Sequence, residues 1–431
     1  MIQRDFYLNQ LIERKNNGLI KIITGIRRCG KSFLLNTLFY NHLIESGIEE
    51  DHIIKLAFDS AEDLERIGED LVAMDKEKRG ADPKLFMSYI RSKTVDSGTY
   101  YLLLDEIQNL DSFVAVLNSY MRHDNYDIYV TGSNSKMLSS DVSTEFRGRG
   151  DEIKIHPLSF SEYYSSVDLD YDDAIEQYMT FGGLPLVYSY SSDSAKSNYL
   201  TNLFNTTYIK DVVERNGIKN DEQIKILVDI LASSIGSLTN RSKIANAFKS
   251  IRNDSTYSSG TIQNHIRHLT DAFIIEEAKR YDVKGRKYIS TNPKYYFSDI
   301  GLRNARLNFR QQEPTHILEN IVYNELCIRG YNVDVGVVEL NCKDENGKSF
   351  RKSLEVDFVV NKASQRYYIQ VAYDLSSPEK QEQEFASLKN IPDSFKKIVI
   401  VNGSSKPWRN ESGFVIMGMK YFLLNQDSLE I

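Results

Sequence analysis

The sequence predicts an α/β fold built on a parallel sheet, and three stretches carry that expectation. Lys21-Ile22-Ile23-Thr24-Gly25 reads as a short apolar strand entering a loop, and Phe33-Leu34-Leu35 opens a helix directly after that loop. Thr99 to Leu104 is a second apolar run, patterned as a strand buried on both faces of a parallel sheet, and it ends in Asp105-Glu106. Asp127 to Gly132 reads as a further strand leading into Ser133-Asn134-Ser135.

The loop between the first strand and its helix is G-x-x-x-x-G-K-S: Gly25, Ile26, Arg27, Arg28, Cys29, Gly30, Lys31 and Ser32, followed by Phe33. This is a phosphate-binding loop in the strand-to-helix setting it requires. Gly25 and Gly30 permit backbone conformations that a side chain would forbid, so successive amides can curl around a β-phosphate. Lys31 would add charge between the β- and γ-phosphates, and the Ser32 hydroxyl would be a ligand for Mg²⁺. The positive end of the following helix faces the same anion. ATP or ADP with Mg²⁺ is therefore the expected ligand.

The Asp-Glu pair is delivered at the C-terminal end of its strand, where ligands of open α/β sheets bind. Asp105 is expected to hold Mg²⁺, directly or through water, and Glu106 to orient and deprotonate the water that attacks the γ-phosphate. A polar residue at the tip of the neighbouring strand can sense that phosphate. Asn134 is the favoured sensor, Ser133 the close alternative, and a polar turn the plainer reading. Arg147 or Arg149, on the turn Glu145-Phe146-Arg147-Gly148-Arg149-Gly150, could complete a neighbouring subunit's site; a solvated basic loop is the alternative. The arginine reading implies a homo-oligomer, with a ring among its forms.

At 431 residues, two to four domains are expected. The 41% hydrophobic and 26% charged composition is that of a soluble globular protein. No apolar run reaches the length of a membrane span, and Met1-Ile2-Gln3-Arg4-Asp5 is not a signal peptide, so a cytoplasmic protein without a membrane partner is expected. Cys29, Cys327 and Cys342 lack paired spacing, which argues against a disulfide framework or a zinc site. The net charge of −7 is unevenly spread: residues 241–310 hold 14 Lys+Arg against 6 Asp+Glu. A basic module on an acidic chain suggests a polyanion contact there.

Arg4 to Asn16 reads as a helix that precedes the first strand, with Tyr7 and Leu8 as weak adenine candidates and ordinary packing as the plainer role. A strand at Ile53 to Phe58 completes the core. Together with Thr131-Gly132-Ser133 and the run His156-Pro157-Leu158-Ser159-Phe160-Ser161-Glu162-Tyr163, these motifs resemble the prokaryotic AAA-type ATPases that carry a C-terminal domain of unknown function. The resemblance covers nearly the whole chain. It implies a P-loop NTPase core over residues 1–165, a helical lid over 166–236, and C-terminal modules. Phe181-Gly182-Gly183-Leu184-Pro185, inside the lid, looks like an adenine-contacting turn of related ATPases, and a plain helix-breaking turn is as good a reading.

Within 237–310, a helix opening in Leu238–Ala245 with Thr239 or Asn240 as its cap, a second from Ser258 through Leu269, and short strands around Lys284-Gly285-Arg286-Lys287 outline a winged helix. Gln263, Asn264, Arg267 and His268 would approach a DNA groove, and Lys284, Arg286 and Lys287 would meet phosphates; a packing module is the rival reading. Residues 311–431 look similar to a restriction-endonuclease-like core, a smaller α/β domain, with Glu319 and Asp357 in matching positions. Gln370 stands where a second carboxylate belongs and Ala372 where a lysine belongs, so nuclease activity is not expected. The function expected is Mg²⁺-dependent ATP hydrolysis coupled to DNA binding through 241–310 and the C-terminal domain. The alternative is a nucleotide-dependent signalling or assembly switch acting on a protein partner.

Overall fold

Strand β1 (Ile20–Gly25) is buried along its whole length and pairs in parallel on both sides, with β4 (Tyr126–Thr131) and β5 (Gly150–Ile155). β2 (Ile53–Ala57) and β3 (Tyr100–Asp105) extend the sheet in the order β2-β3-β4-β1-β5, all parallel. The computed structural model describes residues 2–431 except 78, 133–145, 147, 220, 253–257, 311, 312 and 346, without the side chains of 249–252. It divides into two compact units, Met1–His156 and Pro157–Ile431.

In the first unit, Ile22, Leu102, Leu104, Ile128 and Val130 from the three neighbouring strands β1, β3 and β4 pack with Phe86, Ile90 and Leu117 from helices. Lys21 interrupts the apolar run of β1. Its ammonium is fully buried, bonded to Asp127 of β4 and to the Leu19 carbonyl at 2.8 Å. The N-terminal helix Asp5–Glu13 buries Tyr7 and Leu11, and the Tyr7 hydroxyl accepts a bond from the His156 amide. Packing is thus the role of Tyr7.

In the second unit, helices Tyr171–Phe181, Asp193–Leu203, Ile209–Arg215 and Asp221–Ser233 precede helices Arg241–Arg252 and Ser259–Asp271. The Arg241 helix is capped by Asn240, one of the two caps the sequence offers, whose side chain accepts from the Lys243 amide at 3.0 Å. A hairpin follows, β6 (Ile275–Asp282) with β7 (Lys287–Phe297).

That hairpin does not stand alone. β6 pairs in parallel with β8 (Asn332–Lys343), across residue 310 where two modules were expected to meet. With β9 (Ser349–Lys362), β10 (Gln365–Ala372), β11 (Lys396–Val401), β12 (Trp408–Arg409) and β13 (Val415–Gly418) it forms one eight-stranded sheet, ordered β12-β13-β11-β10-β9-β8-β6-β7. Ladder hydrogen bonds tie the basic hairpin to the C-terminal core, a long-range pairing that no local pattern announces.

The segment Phe181 to Pro185 is held within this unit by Asp299. Its carboxylate accepts from the Gly183 amide at 2.7 Å and caps the helix Ile300–Arg306 through the Leu302 amide at 3.0 Å. Gly182 has φ +75°, and a Cβ there would lie 2.3 Å from Asp299 Oδ1, so both its conformation and its space require glycine.

Candidate active site

The phosphate loop follows β1 and runs into a helix that continues from Lys31 to Glu45, with a π-helical stretch at Leu34–Phe39. Gly25 has φ +137°, and a Cβ there would stand 2.1 Å from the Ile155 carbonyl oxygen, so the loop can leave β1 only through glycine. Gly30 has φ +102° and Arg28 φ +67°. Ile26 and Cys29 are buried, while Arg27, Arg28, Ser32 and Phe33 are exposed. Cys29 Sγ lies 3.6 Å from the Ile155 carbonyl, which makes it a packed loop residue. The Lys31 ammonium donates to the Gly25 and Ile26 carbonyls, each at 3.0 Å, inside the curl of the loop.

Asp105 ends β3 across from this loop. Its carboxylate accepts from the Thr131 hydroxyl at the tip of β4 and from Asn36 Nδ2 at 3.0 Å, with the Ser32 hydroxyl near enough to favour its charged form. Burial pushes the Asp105 carboxyl above its ordinary range, with Glu106 and Asp59 adding like charge, and the Thr131 and Ser32 bonds offset part of this. Glu106 adopts φ +49°, a left-handed conformation rarely taken by a side-chain-bearing residue and one that clusters at functional sites. Its amide donates to Thr131 Oγ1 at 3.1 Å, and its carboxylate accepts from Gln108 Nε2.

Asn36 and Gln108 belong to none of the sequence motifs, and Thr131 belongs to one, Thr131-Gly132-Ser133, without a role of its own there. Asn36 carried a usable signal, because residues four apart on a helix share a face, and Ser32 and Asn36 are so spaced. Thr131 carried one too, as the last residue of the strand beside β3; Leu104 and Val130 are register partners. Of the other expected site residues, Asn134 and Arg147 lie outside the described residues. Arg149 is exposed, just before β5, and bonds Asn118 Oδ1 at 3.2 Å within its own unit.

The donor set fits Mg²⁺. Ser32 and Asp105 present neighbouring hydroxyl and carboxylate oxygens, the hard ligands that this ion prefers.

A second acid cluster lies in the other unit. Glu319, on the helix Pro314–Ile328, and Asp357, on β9, are both buried. Lys294 of β7 lies among them, 2.9 Å from Glu319 Oε1 and 2.6 Å from Glu355 Oε1, and the Tyr296 hydroxyl donates to Glu319 at 2.6 Å. Burial opposes ionisation of Glu319, but Lys294, His316 and Tyr296 outweigh it and hold its carboxyl below the usual range. Asp357 is driven well above the usual range by burial and by the charge on Glu319. Gln370 bridges the Asp357 amide, at 3.4 Å, and Glu384, at 3.0 Å, while Ala372 packs in the core.

The only His, Cys, Asp or Glu groups among the described residues whose ligand atoms converge in threes within 4.8 Å are the surface residues Glu49, Asp51 and His52. The Glu319–Asp357 centre is thus neutralised by an internal ammonium, one that the sequence reading missed because Lys294 lies 63 residues before Asp357.

A parallel sheet with a phosphate loop after β1 and an acid pair after β3 defines a P-loop protein of the AAA type. Residues 17–164 match the family model described as an AAA domain; 172–313 and 315–422 match two described as domains of unknown function, DUF8612 and DUF4143. The chain belongs to the same family as an uncharacterized protein of Haemophilus influenzae, 35% identical over 406 residues and covering 93% of each chain. An uncharacterized protein of Methanocaldococcus jannaschii is 29% identical over 415 residues, 91% of this chain and 82% of its own. Among solved structures, the Aeropyrum pernix ORC2 protein is similar at 12% identity and TM-score 0.34, over 75% of this chain and 92% of its own. DnaA from Aquifex aeolicus is similar at 14% identity and TM-score 0.28, over 61% and 86%. No helix among the described residues is long and apolar enough to cross a membrane.

Proposed function

We propose that this protein hydrolyses ATP with Mg²⁺ and uses the cycle to act on DNA through its C-terminal unit. The observation that carries the hydrolytic reading is Asp105, held at once by Asn36 of the phosphate-loop helix and by Thr131 of β4, with Ser32 beside it. This arrangement joins the triphosphate side of the site to the acid side.

In this reading the loop amides and Lys31 bind the triphosphate, and Lys31 exchanges its carbonyl partners for phosphate oxygens. Ser32 and Asp105 would hold Mg²⁺, which neutralises charge on the phosphates when bound. Glu106 accepts the proton of the attacking water. Asn134 serves as the γ-phosphate sensor, and Arg147 or Arg149 completes a neighbour's site in an oligomer.

The DNA reading is supported by the second unit's exposed cations. Gln263, Asn264 and Arg267 share the exposed face of the Ser259–Asp271 helix, whose other face buries Ile262, His265, Ile266 and Leu269. Lys284, Arg286 and Lys287 are exposed at the hairpin turn, with Lys284 Nζ 3.1 Å from the Glu339 carbonyl of β8. Each phosphate contact releases counterions, so neutralising Arg267, Arg286 and Lys287 together is expected to reduce the log–log salt slope of duplex binding by up to about 3. Undetectable binding at low salt, or an unchanged slope, defeats this part.

One observation favours a switch over a motor. Gln108 holds the Glu106 carboxylate, which would slow the turnover of a site otherwise assembled. ATPase rates measured with and without a panel of DNA structures separate the two: stimulation by DNA supports the motor, and slow unstimulated turnover with nucleotide-dependent assembly supports the switch.

A further inference from the structure

Arg4 belongs to none of the nucleotide motifs, yet it is only 2% exposed. It stands one residue before the helix Asp5–Glu13 and reaches 25 residues along the chain. Nη1 donates to the Cys29 carbonyl of the phosphate loop at 2.8 Å, and Nη2 donates to the His156 carbonyl at 2.9 Å. The guanidinium lies over the Tyr7 ring, 4.6 Å from its centroid, and Tyr7 in turn accepts from the His156 amide. One of these acceptors lies within the loop, and the other is the last residue of the unit.

A trans peptide is planar, so its C=O and N–H point in opposite directions. Pinning the Cys29 carbonyl to Arg4 turns the Gly30 amide away from the guanidinium, and loop amides turned inward are what receive an anion in a phosphate-binding loop. The left-handed φ of Gly30 lets the chain hold that orientation. A planar guanidinium can serve two carbonyls on separate segments in fixed geometry, which an ammonium on a flexible stem does poorly.

We propose that Arg4 is a positioning residue for the nucleotide. It sets the Cys29–Gly30 peptide so that the amide faces the phosphates, and it anchors this setting to His156. The inference rests on the proposed ATP-binding reading. It is tested with full-length Arg4→Met and Arg4→Lys by two measurements: steady-state ATPase, and ATP, ADP and adenosine affinity in a Glu106→Gln background.

Losing a hydrogen bond from a charged group predicts that Arg4→Met weakens ATP and ADP binding about tenfold or more, with Arg4→Lys in between. Turnover at saturating ATP should fall much less than affinity, and weak adenosine binding should stay as in wild type, a split that general destabilisation would not produce. Wild-type ATP affinity in folded Arg4→Met overturns the proposal. If Arg4→Met does not fold, wild-type affinity in Arg4→Lys overturns it instead. A wild-type protein that binds no ATP defeats the nucleotide reading itself, and the Arg4 role with it.

Discussion

Asp105 in the first unit and Asp357 in the second are both strand carboxylates driven upward by burial, yet their surroundings differ in kind. Asp105 is held by neutral hydroxyl and amide donors from Thr131 and Asn36, and the Lys31 ammonium bonds loop carbonyls instead. Asp357 shares its neighbourhood with Glu319, and Lys294 lies within ion-pair distance of Glu319 and Glu355. Neutral donors can be exchanged for a ligand at modest cost. A buried ion pair resists exchange, because removing one partner strands the other without water. The first cluster is thus open to exchange, and the second ties the hairpin to the Pro314–Ile328 helix and to β9.

The sharpest way to break this contrast is at Glu106. Glu106→Gln is expected to lower the ATPase rate by about 10²–10⁴-fold, the usual worth of a positioned general base, while ATP still binds and the thermal unfolding profile stays put. Turnover close to wild type would remove Glu106 from the mechanism.

Lys294→Met should give the opposite profile. Stranding Glu319 is expected to cost roughly 3–5 kcal/mol of stability in the second unit, seen as a lowered thermal transition, with per-molecule ATPase preserved below that transition. Adding Glu319→Gln to Lys294→Met should recover part of the loss, since the stranded charge is then gone. Unchanged stability in the single variant would show that the ion pair does not fasten the hairpin.

Asp299 offers a smaller effect with a defined sign. It is fully buried, and burial pushes its carboxyl up to about 6 despite bonds from the Gly183 and Leu302 amides. A carboxyl whose folded value lies above its unfolded one stabilises the fold most at low pH, and that contribution fades as pH rises through about 6. Between pH 4 and 7 the loss amounts to about 2 kcal/mol. Asp299→Asn should be less stable overall, because its amide cannot accept both backbone bonds, but its stability should vary less with pH over that range. Denaturant titrations at several pH values check this, and an equal slope in both proteins counts against it.

The phosphate loop and the acid pair were legible in the sequence because each is local. Gly25, Gly30, Lys31 and Ser32 sit in one turn whose backbone demands are written in residue type, and Asp105 and Glu106 follow an apolar run that can only be a buried strand. Asn36 was within reach through its helical spacing from Ser32. Arg4 was not, since nothing near residue 4 says that its side chain ends on Cys29 and His156.

The sequence by itself therefore determined the nucleotide-binding core, since backbone conformation and strand burial depend on neighbours along the chain. Tertiary structure alone decided that β6 pairs with β8, that Lys294 neutralises Glu319, and that Thr131 bridges Asp105 and Glu106. These contacts join residues far apart in the chain, and their energies depend on distance and desolvation, which exist only once the strands are laid side by side.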